Sequence, residues 1–250
     1  MQGFFYIYNL NPTKLNRVLI PLRDTIPSRS FPIVNWILIL ANILIFLFEV
    51  FMLNDRQAEA MIFDYGLIPD KIRLTGVGSL HDLRTTVFRP FFTNMFLHGG
   101  WGHLIANMWI LFIFGDNVED RMGKVRYFLF YILCGLIASF THFVLHRNSP
   151  IPAIGASGAI SGVMAAYMVM FPKSTIISFI PIFIIPFFLP IPAIIYIGIW
   201  FVGQLLSGTT SLMLSNTATG IAFWAHIGGF IGGLMLYRFF DPPGRKVLYR

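Results

Sequence analysis

Long apolar stretches, each close to the length that crosses a bilayer, constrain the fold of this chain more than any other feature. A transmembrane helix needs about 20 mostly apolar residues to cross about 30 Å of hydrocarbon, and the first such stretch runs from about residue 32 to 53. Only 12% of the 250 residues are charged, whereas about a quarter are charged in ordinary soluble domains. The sequence therefore predicts a polytopic, all-α membrane protein.

Five further apolar stretches follow, so we expect a bundle of six transmembrane helices. The predicted membrane core covers residues 31–240, between a cytosolic or interfacial segment at 1–30 and a basic cytosolic tail at 241–250. Residues 54–100 are too polar to cross but rich in phenylalanine, which predicts a membrane-associated first loop. The six predicted spans lie at about 32–53, 101–115, 127–145, 154–171, 191–206 and 221–240.

Residues 175–206 are too many for one crossing, and they include Pro181, Pro186, Pro190 and Pro192. Backbone broken by proline is tolerated at membrane depth only where protein covers it. We therefore expect an interfacial or re-entrant piece before the fifth helix. A helical hairpin across the whole stretch is the alternative, and the sequence leaves the conformation of 175–190 open.

The distribution of basic residues predicts the orientation. With six crossings, six Lys and Arg lie on one side of the membrane, namely Arg56, Lys71, Arg73, Arg84, Arg89 and Arg147, and the other twelve of 18 lie opposite. The positive-inside rule then places both termini in the cytosol. The net charge of +7 is thus a topology signal, and no basic cluster interleaved with aromatic residues indicates a nucleic-acid partner. The oligomeric state is left open.

Two stripes of glycine residues, one around Ser157 and one beside His226, predict the most informative packing contact. Stripes of small residues let two helices approach more closely than the usual distance of about 8–10 Å. The stripes are Gly155, Gly158 and Gly162 in the first helix, and Gly229 and Gly233 in the second. Packing them together would bring Ser157 and His226 into contact inside the membrane.

A serine is a weak nucleophile unless a base accepts its proton, and histidine has the pKa for that task. No intramembrane aspartate is available to orient His226, so the arrangement would be a dyad. His103 and Asn107 lie four residues apart on one helix face and are candidate oxyanion donors. The competing interpretation is that Ser157 is a packing hydroxyl and His226 a structural hydrogen-bonding group. His98, His103 and His226 have no nearby carboxylate or thiolate, so we expect neither a metal nor another cofactor.

Three motifs occur in the order typical of one family: HGGWGHLIANMWILFIFGDNVEDRMG, GASGAISGVMAAY and WAHIGGFIGGL. Over about residues 60–240 the chain resembles the bacterial rhomboid intramembrane serine proteases. The resemblance implies that Ser157 is the nucleophile and His226 the general base. It also implies that His103 and Asn107 stabilise the oxyanion.

Supporting positions follow from the same resemblance. Arg89 is similar to a feature of the family's first loop, and Glu119 with Arg121 is similar to its ExR pair. Some members carry a tyrosine that stacks on the histidine, where this chain has Ser161. What orients His226 is therefore open, and Trp224 is one candidate.

The activity implied is hydrolysis of peptide bonds in or near the transmembrane segments of single-span or polytopic membrane proteins. The expected setting is a bacterial cytoplasmic membrane, with the site open to the non-cytosolic side and substrate entering sideways past the fifth helix. Two other classes compete with this one. The first is a proteolytically silent rhomboid-like protein that binds membrane clients. The second is a transporter or channel, although the chain lacks the buried charges that ion coupling usually needs.

Overall fold

Helices make up most of the chain. The computed structural model describes residues 20–75, 79–182, 185–213 and 222–242. In chain order the elements are β1 (Ile20–Asp24), α1 (Ile33–Met52), α2 (Asp55–Tyr65), α3 (Pro69–Leu74), α4 (Leu80–Asp82), a π-helical turn (Leu83–Phe88), α5 (Arg89–Thr93), a 3₁₀ turn (Asn94–Phe96), α6 (Trp101–Met122), α7 (Lys124–Leu145), α8 (Ser157–Met170), β2 (Thr175–Ile182), β3 (Ile185–Pro192), α9 (Ala193–Met213) and α10 (Phe223–Phe240).

Within the described ranges, three helices are long and apolar enough to cross a membrane: α1, α7 and α9 over Ala193–Ser211. Helix α8 is apolar but has only 14 residues. At 1.5 Å per residue it spans about 21 Å, which is short of the hydrocarbon thickness of about 30 Å. The structure is thus that of a mostly helical membrane protein, and the number of six crossings stays a prediction.

The expectation of an all-α fold holds for most of the described residues but not for all of them, because β1, β2 and β3 form a three-stranded antiparallel sheet in that order. The stretch 175–190 is therefore not part of a helical hairpin. It forms a β-hairpin in which Thr175 pairs with Pro192, and β1 covers the other edge of β2, where Ile20 pairs with Phe179.

Proline and β-branched residues explain this hairpin. Proline removes a backbone donor and disrupts a helix interior, whereas isoleucine and phenylalanine favour strands. Three prolines, Pro186, Pro190 and Pro192, lie in β3, and β3 is an edge strand, where proline is tolerated. The predicted cytosolic or interfacial segment contributes β1, and its residues 1–19, like the tail at 243–250, lie outside the described residues.

The predicted first loop is built largely of short helices. Helix α2 begins at a capping box, because Asn54 Oδ1 accepts from Gln57 N at 3.0 Å and Gln57 Oε1 accepts from Asn54 N at 3.1 Å. Such reciprocal bonds satisfy two backbone donors at a helix start. The loop is fixed to the segment before α8 by a bridge between Leu67 and Ala153, with N–O distances of 2.8 and 3.1 Å.

Helix α8 lies at the centre of the bundle, and most of its side chains are buried. Glu119, near the end of α6, accepts hydrogen bonds from Val34 N at 3.1 Å and Asn35 N at 2.7 Å. A carboxylate at a helix N-terminus satisfies free amides and complements the helix dipole, so Glu119 fixes the start of α1 to α6. Arg121 pairs with Asp241 at 2.6 Å, which joins α6 to the end of α10.

Asp24 at the end of β1 joins the sheet to the bundle. Its Oδ2 accepts hydrogen bonds from the Tyr167 hydroxyl and, at 2.9 Å, from Asn117 Nδ2. Burial raises the pKa of Asp24 from its ordinary value near 3.8 to about 6, and the bond from Tyr167 opposes that rise only in part. The carboxyl group therefore binds its proton more tightly in the folded protein than in the unfolded chain.

We expect Asp24→Asn to stabilise the protein at pH 8 and to have no such effect at pH 4. Below pH 4 the carboxyl is protonated in both states. As the pH rises from about 4 to 6, the unfolded chain releases this proton while the folded protein still holds it, so the fold loses up to about 3 kcal/mol of stability, and the loss is complete above pH 6. Asparagine keeps the acceptor oxygen but cannot ionise. Thermal unfolding of both proteins in detergent at pH 4 and pH 8 measures the difference. If the two proteins lost equal stability between pH 4 and pH 8, the prediction would be contradicted.

Candidate active site

Ser157 is the first residue of α8 and follows a turn that requires glycine. Gly155 has φ +125°, a conformation that residues with a Cβ rarely adopt. Its amide donates to Asn94 O at 2.8 Å. A Cβ on Gly155 would lie 2.7 Å from the His103 ring. The turn therefore brings the backbone before Ser157 directly against the start of α6.

Helices α8 and α10 touch through the two glycine stripes. A Cβ on Gly229 would overlap Gly158 O and lie 2.8 Å from the Gly158 carbonyl carbon, and one on Gly233 would lie 2.6 Å from Gly162 Cα. Backbone atoms of the two helices are thus in direct contact. This approach is what carries His226 to the N-terminus of α8.

The structure brings Ser157 and His226 together. Ser157 Oγ lies 2.7 Å from His226 Nε2, and His226 Nδ1 lies 2.7 Å from Gln204 Oε1 in α9. Ser157 and His226 are both half-buried, so the pair is shielded but can be reached. Because Gln204 Oε1 can only accept, Nδ1 carries the proton and Nε2 is free to accept from the serine hydroxyl.

Gln204 was missed in the sequence analysis, although a polar side chain in an apolar helix is itself a signal. The candidate Trp224 instead donates from Nε1 to Gly208 O at 3.2 Å. Ser161, at the position of the absent tyrosine, donates to Ser157 O at 2.6 Å. The aromatic ring near the imidazole is Trp200, with centroids 6.0 Å apart.

His103 and Asn107, near the start of α6, both lie beside Gly155, two residues before the serine. Asn107 Nδ2 lies 3.0 Å from Nε2 of the fully buried His98, and the rings of His98 and His103 meet edge to face at 5.1 Å. His98 therefore supports Asn107. Among the described residues no group of three or more His, Cys, Asp or Glu could hold a metal ion.

A small cavity adjoins Ser157, with polar walls that include Asn94, Ser139 and His142. Asn94 Nδ2 lies 3.0 Å from Ser139 Oγ, whereas the ring nitrogens of buried His142 bond to none of the described residues. These residues, on the 3₁₀ turn and α7, were not singled out from the sequence.

Arg89 fixes the first loop. Its Nη2 donates to Asp64 O at 2.9 Å, and its guanidinium lies 4.4 Å from the centroid of the Tyr65 ring. Thr93, one turn later, donates to Tyr65 O at 2.6 Å. Arg89 thus lies away from the serine–histidine pair. It contacts the first loop, which in turn is bonded to the segment before α8.

A serine hydroxyl bonded to an imidazole, among apolar helices packed through glycine, defines a class of helical membrane proteins with a serine–histidine site. The comparison with known families identifies which one. A family model described as the rhomboid domain matches residues 84–241, more than half of the chain. The chain belongs to the rhomboid family.

Individual relatives come from organelles and from a bacterium. RHOMBOID-like protein 12, mitochondrial, of Arabidopsis thaliana is 25% identical over 60% of this chain and 46% of its own length. The mouse presenilin-associated rhomboid-like protein, mitochondrial, is 31% identical over 38% of the chain and 26% of its length. YdcA of Bacillus subtilis, named as a candidate rhomboid protease, is 35% identical over 31% and 39%. The chain thus spans less than half the length of each relative.

Proposed function

We propose that this protein is an intramembrane serine endopeptidase that hydrolyses peptide bonds in or near the transmembrane segments of membrane proteins. The observation that carries the proposal is the 2.7 Å contact between Ser157 Oγ and His226 Nε2. A nucleophile within hydrogen-bond reach of a base whose second nitrogen is held is the signature of an activated serine.

In the acylation step His226 Nε2 accepts the Ser157 proton while Oγ attacks the carbonyl carbon of the scissile bond. The tetrahedral intermediate collapses when His226 gives that proton to the departing amine. An acyl ester on Ser157 and a new amino terminus result. Water then attacks the ester through the same imidazole, which releases the carboxylate product and restores the serine.

The oxyanion formed in each step needs donors close to Ser157. His103 and Asn107 lie beside the turn that precedes the serine, and the Ser157 amide is at the positive end of α8. Removing one oxyanion donor from a serine hydrolase costs about 3–4 kcal/mol of transition-state stabilisation. We assign oxyanion stabilisation to His103, Asn107 and the Ser157 amide.

Deacylation requires water at a site surrounded by apolar helices. The small cavity beside Ser157 supports this step, because polar side chains form part of its lining and buried water occupies sites that offer it several hydrogen-bond partners. The ring nitrogens of His142 and the hydroxyl of Ser139 supply such partners. The cavity therefore offers a place for the water that deacylation needs.

The substrates we propose are single-span or polytopic membrane proteins. A regular helix hides its carbonyl groups in its own hydrogen bonds, so a segment that unwinds easily would be cleaved best. We place the protein in a bacterial cytoplasmic membrane with six crossings, both termini cytosolic and the site open to the non-cytosolic side. The excess of lysine and arginine on the proposed cytosolic side supports that orientation.

The proposal is tested with purified protein in proteoliposomes. A fluorophosphonate probe should label the protein on Ser157, as located by mass spectrometry of peptides, and Ser157→Ala should not be labelled. The unaltered protein should cleave a panel of single-span substrates, and those with helix-breaking residues best. Ser157→Ala should cleave none of them. Absence of both labelling and cleavage in the folded protein would instead favour a silent rhomboid-like protein that binds clients.

A further inference from the structure

Helix α9 contributes a polar side chain to the serine–histidine pair. Resting on the proposed protease function, we infer that Gln204 is a positioning residue that holds the His226 imidazole in the reactive tautomer. His226 Nδ1 lies 2.7 Å from Gln204 Oε1, while Nε2 faces Ser157 Oγ at the same distance. The amide oxygen thus takes the place that a carboxylate holds in a serine–histidine–aspartate triad.

The contacts around Gln204 fix its side chain toward α10. One turn before it, Phe201 stacks on Phe230 with centroids 4.1 Å apart, and one turn after it, Gly208 O accepts from Trp224. Gln204 lies between these contacts on the same helix face. The register of α9 against α10 therefore aims the amide at His226.

An uncharged partner suits this environment. If Nδ1 lost its acceptor, the imidazole could turn or adopt the tautomer with the proton on Nε2, which cannot accept from Ser157. A buried donor without a partner is also unfavourable. The amide oxygen avoids both outcomes. Its dipole also favours the imidazolium that forms during acylation, without placing a second charge in an apolar site.

Through Gln204, the His226 base contacts α9, which is the least buried of the three candidate spans. Only 17% of the apolar segment of α9 is buried, against 33% in α1 and 39% in α7. A change at α9 could therefore alter either substrate entry or the base. A small fluorophosphonate probe separates the two, because it needs little room to enter but still needs Ser157 to be activated.

The test uses Gln204→Leu, Gln204→Glu and the matched control Thr210→Val, an exposed position on α9. Gln204→Leu should lower kcat for a transmembrane substrate about 10–100-fold, the equivalent of one lost buried bond, with KM unchanged. The rate of fluorophosphonate labelling should fall by the same factor. Gln204→Glu should keep most of the kcat of the unaltered protein. It should also move the acidic limb of the pH–rate profile to higher pH, because a carboxylate favours the imidazolium form of His226. Thr210→Val should leave kcat, KM, the labelling rate and the pH–rate profile unchanged.

Two outcomes would overturn the inference while leaving the protease function in place. One is a Gln204→Leu protein that keeps its labelling rate and loses only substrate cleavage, which would assign Gln204 to entry. The other is a Gln204→Glu protein with an unchanged pH profile, which decides the case even if Gln204→Leu does not fold. Failure of the proposed function itself looks different, since the unaltered protein would then not label at Ser157.

Discussion

Replacing Ser157 by alanine is expected to lower kcat/KM for a transmembrane substrate by about 10⁴-fold or more, and His226→Ala should cost nearly as much. The two groups share one proton across 2.7 Å, so neither works without the other. The double variant should therefore be no slower than the slower single variant. This double-mutant cycle is measured from the initial cleavage rates of the unaltered protein, the two single variants and the double variant, in proteoliposomes at equal concentration of folded protein.

Ser161→Ala is the matched control for this cycle. Ser161 lies one turn further along α8, is buried, and donates its hydroxyl to Ser157 O at 2.6 Å. The same chemical change at that position should leave kcat/KM within a few-fold of the unaltered protein. Cleavage by Ser157→Ala at a rate close to that of the unaltered protein would show that another group is the nucleophile, and additive losses would show that the pair does not act as a unit.

The contact between Ser157 and His226 could be anticipated because it depends on local patterns. Each residue adjoins its own glycine stripe, and stripes of that kind identify which helix faces can touch. Gln204 could not be placed in the same way. Its meeting with His226 depends on the register of α9 against α10, and the spacing of residues within either helix carries no information about that register.

The sheet was missed for a related reason. Short apolar runs do not distinguish a buried strand from a helix by periodicity, and prolines are compatible both with a broken membrane segment and with an edge strand. One of the two partners of β2 is β1, which precedes it by about 150 residues, with Ile20 opposite Phe179. Pairing over such a separation leaves no local mark. The capping box of Asn54 and Gln57, by contrast, is a local pattern that the sequence itself carries.

Gly229→Ala is expected to destabilise the protein by about 3 kcal/mol or more, at the upper end for overpacking a well-filled core. The added methyl group would overlap Gly158 O in the first turn of α8, which is a backbone atom of a buried helix and cannot rotate away. Helices α8 and α10 would have to separate, and His226 would move with α10. Because the hydrogen bond to Ser157 does not survive a separation of 1 Å, the remaining folded protein should also lose most of its cleavage and labelling.

Gly198→Ala supplies the matched control, since it is the same substitution in a helix where a Cβ would meet nothing within 4 Å. Alanine is favoured over glycine in a helix by about 1 kcal/mol, so this variant should be as stable as the unaltered protein or slightly more so. Thermal unfolding in detergent and fluorophosphonate labelling of the folded fraction distinguish the two variants. If Gly229→Ala behaved like Gly198→Ala in both measurements, α8 and α10 would not be in backbone contact, and the closeness of Ser157 and His226 would need another cause. If only Gly229→Ala loses stability and labelling, the alignment of Ser157 with His226 depends on glycine at the crossing of α8 and α10.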